Sequence, residues 1–69
     1  MSFREGDEVE WNTSQGTTHG KVRERRTSEF QFDGQKFNAT EDDPYYIVES
    51  DKTDARAAHK ESSLRKRSR

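Results

Sequence analysis

Sixty-nine residues with 25% hydrophobic and 39% charged content allow a single domain with a compact core, and they leave few apolar side chains to spare for a ligand site. The chain has no cysteine, which excludes a disulfide framework and thiolate metal ligation. Its net charge of -1 is unevenly divided: residues 1–54 carry seven Lys/Arg against thirteen Asp/Glu, and residues 55–69 carry six against one.

Composition alone resembles that of a disordered chain, but the spacing of the apolar residues argues for a small β-fold. After the turn pair Gly6-Asp7, Val9-Glu10-Trp11 alternates with period two, predicting a strand that buries Val9 and Trp11. The nine residues Asn12 to Gly20 are all polar or glycine and read as a mobile loop, too long for a tight two-residue hairpin. A second strand is expected over Lys21 to Arg26 with Val22 inward. Thr27-Ser28 then turns the chain, and Glu29 to Phe32 alternates again. Asp33-Gly34 is a strong hairpin signal leading into Lys36 to Ala39, with Phe30, Phe32 and Phe37 on one face.

Thr40 to Pro44 forms an acidic loop closed by the only proline. It delivers the one continuous apolar run, Tyr45 to Val48, which reads as a central strand in contact with core on one face and with covered or ligand-facing surface on the other. Ser50 to Asp54 is a polar turn, and Arg56 to Lys60 is a final strand paired with the central one. Glu61 to Leu64 reads as one helical turn whose Leu64 plugs an open end. From Arg65 the sequence has nothing to bury, so residues 1–64 are expected to form the domain and 65–69 a basic disordered tail. Both ends are expected to be flexible.

Short strands with polar turns predict an all-β fold, a five-stranded SH3-like barrel with one short helical turn near the C-terminus. An oligonucleotide-binding five-stranded barrel is the alternative, although its strands are usually longer. No apolar run has the length of a signal-peptide core or a membrane span, so no membrane partner and a cytoplasmic, monomeric protein are expected.

A family pattern runs through the chain. It comprises Gly6-Asp7-x-Val9-x-Trp11-Asn12-Thr13-Ser14-x-Gly16, Gly20-Lys21-Val22, Ala39-Thr40-x-Asp42-Asp43-Pro44-x-Tyr46-x-Val48-Glu49-Ser50-Asp51-Lys52-Thr53, Ala57-Ala58-His59-Lys60 and Leu64. In these segments the sequence resembles the hypervirulence-associated Tudor domains, a family long described as a domain of unknown function. The resemblance implies an SH3-like, Tudor-type barrel and brings no catalytic or binding residues with it.

Residues able to carry chemistry are few. His19 reads as a solvated loop residue and His59 as a structural one, hydrogen-bonded near the barrel mouth, so no catalytic set is expected. Glu41-Asp42-Asp43 and the Asp51 to Asp54 turn lack the alternating ligands, glycine and distant glutamate of a calcium loop, and neither metal nor cofactor is expected. A methyl-lysine or methyl-arginine cage would draw on Trp11, Tyr45 and Tyr46, against which stands the need for aromatic rings in so small a core. Nucleic-acid binding would use Lys21, Arg23, Arg25, Arg26 and the basic tail; Gly20-Lys21-Val22 faintly resembles a KOW motif, but the acidic body opposes a broad phosphate footprint. The reading favoured is a non-enzymatic binding or adaptor module for a peptide or protein, with nucleic acid as the alternative. Its candidate ligand-binding residues are Trp11, Lys21, Tyr45, Tyr46 and His59.

Overall fold

A computed structural model describes residues 3–67. It contains seven strands: β1 (Glu8–Thr13), β2 (Gly16–Arg26), β3 (Phe30–Phe32), β4 (Gln35–Phe37), β5 (Tyr45–Ser50), β6 (Arg56–Lys60) and β7 (Arg65–Lys66). A 3-10 turn, Glu61–Ser63, joins the last two. Five strands form one antiparallel sheet in the order β6-β5-β2-β1-β7, and β3-β4 is a separate hairpin. The all-β, Tudor-type expectation holds. Closure is loose, because β6 and β7 end the sheet without pairing to each other.

β2 bends the sheet around the core. Its first half pairs with β1 and its second with β5, and the register slips between Val22 and Glu24, leaving Arg23 as the extra residue of a bulge. The N-terminal turn is tied to this bend by two backbone bonds, Gly6 N–H to the Val22 carbonyl at 2.7 Å and Val22 N–H to the Asp7 carbonyl at 2.9 Å. Gly20 lies where β1, β2 and β5 meet, and a side chain there would collide with the Glu49 carbonyl and the Trp11 ring.

Phe3, Val9, Trp11, Val22, Tyr46, Val48 and Leu64 form the main buried cluster. Ile47 and Ala39 are buried outside it, and alternation places Ile47 on the Tyr45 side of β5. Burial of Phe3 was not foreseen. An isolated phenylalanine at a chain end carries no periodicity, and here its ring meets Tyr46 edge-on at 5.4 Å.

Two further expectations are corrected. Asn12 to Gly20 is no open loop, since β1 runs to Thr13, β2 starts at Gly16, and only Ser14-Gln15 turns between them. Thr13 donates its hydroxyl to the Gly16 carbonyl at 2.9 Å and accepts the Gln15 N–H at 3.1 Å, while Gly16 takes a φ of +112°. Both faces of this hairpin are wet beyond Trp11, so the backbone ladder and polar side-chain bonds such as Thr17 hydroxyl to Asn12 Oδ1 at 3.1 Å maintain it, and hydropathy carries no signal. The DG turn fulfils its expectation, with Asp33 at φ +53° and Gly34 at +77°.

Arg65 and Lys66 were expected in a disordered tail but pair with Glu10 and Val9 as β7. Arg65 meets the Glu10 carboxylate at 2.9 Å, and Arg67 meets Glu8 and Asp51 at 3.4 Å each. The acidic body therefore holds the start of the basic tail. Ser68 and Arg69, the end of the expected tail, lie outside the described residues.

Candidate functional site

The β1 alternation that turns Val9 inward also turns Trp11 inward, and the bare backbone of Gly20 leaves room for the indole. Although only 5% exposed, Trp11 forms part of a surface groove of about 300 Å³. Thr13 and Gln15 of the β1-β2 hairpin line one wall, and Thr53, Ala55 and Ala57 line the other. Next along β6, His59 borders a second hollow of about 390 Å³ with Asn12, Ser62, Ser63 and Arg65. The His59 and Trp11 rings lie 5.7 Å apart with planes tilted by 40°.

These two residues thus sit together at a seam between β1 and the free edge of the sheet. Burial lowers the His59 pKa below its ordinary value, which favours the neutral imidazole. The contact of His59 is with an aromatic face, and among the described residues the expected ring hydrogen bond is absent. The seam offers an aromatic floor, small apolar side chains and several hydroxyls, which suits an extended ligand with mixed side chains.

The two tyrosines part company. Tyr46 points into the core and is fully buried. Its hydroxyl accepts the Phe3 N–H at 3.2 Å and the Arg25 Nε–H at 3.4 Å, and donates to Glu61 Oε1 at 3.4 Å. That engagement removes Tyr46 from any ligand surface, and the sequence could not foresee it because a continuous apolar run does not reveal which face is inner. Tyr45 lies on the opposite face, half-buried, with its ring 5.2 Å from Phe37 and 5.8 Å from Phe30. Lys60 Nζ stands 5.7 Å from the Tyr45 ring centre and 3.0 Å from Asp43, whose hydrogen bond and charge raise the lysine pKa. Trp11, Tyr45 and Tyr46 therefore do not assemble into a cage.

Lys21 is exposed on β2 and lies in a hollow with Arg23, Glu49, Asp51 and Asp54, so its surroundings are mixed in sign. The neighbouring cations are engaged: Arg23 and Arg56 share Glu49 at 3.3 and 3.6 Å, and Arg26 pairs with Glu24 at 3.2 Å. Such exposed pairs contribute little stability, but they break up a positive strip. His19 lies 3.6 Å from Glu10 in an ion-pair position on β2. Among the described residues no group of three or more histidine and acidic side chains is placed to hold a metal ion.

The groove walls at Thr13, Gln15, Thr53, Ala55 and Ala57 escaped the sequence reading. Their elements are far apart in the chain, and small polar residues give no pattern of their own. The all-β fold is consistent with one family, whose profile, described as the hypervirulence associated proteins TUDOR domain, matches residues 6–64. The chain belongs to this family. No curated protein and no solved structure matches it. As a Tudor-type domain it is a small binding module of a kind that is generally non-catalytic. No helix among the described residues is long and apolar enough to cross a membrane.

Proposed function

We propose that this Tudor domain binds a peptide or protein segment in the seam between β1 and β6. The observation that carries the reading is the groove itself, in which the Trp11 indole lies between hydroxyl-bearing and small apolar walls and contacts His59. Trp11 and His59 act as the central contacts, Lys21 and Tyr45 flank the domain on other surfaces, and Tyr46 serves the core. The nucleic-acid reading is weaker because Arg23, Arg26 and the described tail arginines are paired with the domain's own carboxylates.

Proton-nitrogen NMR titration with short peptides, single-stranded DNA and duplex DNA tests the choice. Peptides are expected to shift the Trp11 indole N–H and the amides of Thr13, Ala57 and His59 at moderate salt. DNA held by about five phosphates would show a log-log salt slope of roughly -4 to -5. Seam shifts produced by DNA alone, with that slope, would overturn the peptide reading.

A further inference from the structure

Among the described residues, the surfaces outside the core include the aromatic platform of Phe30, Phe37 and Tyr45, the hollow at Lys21, and the outer edge of β6. Nothing in the structure shows what covers the platform, and the Lys21 hollow is balanced by its own carboxylates. The edge of β6 carries more information.

Ser50 donates its N–H to the Ala55 carbonyl at 2.9 Å, which marks this as a hydrogen-bonded pair of the antiparallel ladder. Alternation then directs the backbone groups of Ala57 and His59 toward β5, and those of Arg56, Ala58 and Lys60 away from it. Among the described residues no backbone group pairs with that outer row, since β6 ends the sheet. An open edge of this kind is a template for an added strand.

The side chains on the edge decide what could be added. Antiparallel pairing with a second copy, centred on Ala58, would set Arg56 of each copy opposite Lys60 of the other, and like charges facing each other oppose pairing. A strand bearing carboxylates at those positions meets the opposite situation. Arg56 and Arg23 divide one carboxylate, Glu49, between two guanidiniums, and Lys60 holds Asp43 at 3.0 Å, so carboxylates of an added strand would join the shared pair at Arg56 and exchange with Asp43 at Lys60. On the other face of an added strand, alternate side chains would lie beside Ala57 and His59 and enter the hollows flanking Trp11.

We propose that the outer edge of β6 takes up an extended acidic peptide of another protein as an added strand, with carboxylates opposite Arg56 and Lys60 and small apolar side chains toward the Trp11 seam. This rests on the peptide-binding reading of the same seam and adds to it a backbone-mediated mode and a ligand charge.

The probe is a short synthetic peptide alternating Glu with Val, compared with its counterpart carrying Lys for Glu. In the free domain the amides of Arg56, Ala58 and Lys60 are expected to exchange faster than those of Ala57 and His59. Binding of the Glu peptide should slow them, and the Lys peptide should bind at least about tenfold more weakly, the equivalent of about 1.4 kcal/mol. Ala58→Pro removes an outward N–H without touching the ladder to β5, so it should fold and lose the peptide. The paired variant R56E and K60E should reverse the charge preference, and it serves as the test if the proline variant fails to fold. Strand addition is overturned, with the seam reading intact, if the Glu peptide shifts the Trp11 indole while those amides exchange as before. An unaltered affinity in folded Ala58→Pro, or an unaltered charge preference in the paired variant, overturns it equally. If neither peptide shifts any resonance, both readings fall.

Discussion

Two aromatic clusters of similar chemistry lie on opposite faces of β5 and meet different fates. On one face Tyr46, Phe3 and Trp11 are buried with Val9, Val22, Val48 and Leu64, enclosed by the bent β2 and by the turn that carries Leu64. On the other face Tyr45 touches Phe30 and Phe37 of the β3-β4 hairpin, and the three rings remain half-exposed because that hairpin stands apart from the main sheet. What separates the clusters is enclosure. Rings surrounded on all sides support the whole fold, whereas rings under a single hairpin support the hairpin.

The largest effect in this comparison belongs to Tyr46→Ala. It empties a fully buried site and leaves the Phe3 N–H, Arg25 and Glu61 without their shared hydroxyl. A loss of about 3–5 kcal/mol is expected, enough to unfold much of a domain this small, read as a lower thermal midpoint and loss of dispersed amide signals. A midpoint within a degree or so of the parent would place the structural centre elsewhere.

Phe37→Ala sharpens the contrast. Its ring is already partly in water, so a loss of about 1–2 kcal/mol is expected, confined largely to the hairpin. Hydrogen exchange should accelerate in β3 and β4 and leave β1 and β2 protected. An equal rise throughout would mean that the two clusters form one cooperative unit.

The smallest effect is the pH response of His59, which borders the buried cluster through Trp11. Burial lowers its folded pKa, so below the ordinary value of 6.5 the unfolded chain binds the proton more readily than the fold does. The stabilising contribution is complete above that value and is lost as pH falls through 6.5 toward the lowered folded pKa. Comparing the wild type with His59→Gln between neutral and mildly acidic pH isolates the residue. The wild type should lose more stability on acidification, and parallel curves would count against a buried neutral ring.

Several of these distinctions could be read from the chain. Val9-Glu10-Trp11, Asp33-Gly34 and Tyr45 to Val48 announced strands, a turn and a two-faced strand by periodicity and turn chemistry, and Leu64 was the only apolar residue available near the final turn. The site was less legible. Trp11 and His59 were both candidates, but their meeting at 5.7 Å requires β6, at one end of the sheet, to approach β1, which lies two strands beyond its neighbour β5. The β1-β2 hairpin is hidden in the sequence for a related reason, since a strand with two wet faces leaves no hydrophobic trace.

The sequence by itself determined the all-β class, most strand positions and the family, because alternation, glycine turns and local motifs are properties of neighbouring residues. Only the tertiary structure decided which tyrosine is core, that the tail's first arginine closes onto Glu10, and that β6 keeps an open edge beside Trp11. Those outcomes depend on sheet curvature and on pairing between distant segments, where burial and backbone hydrogen bonds are satisfied jointly and no local pattern records the result.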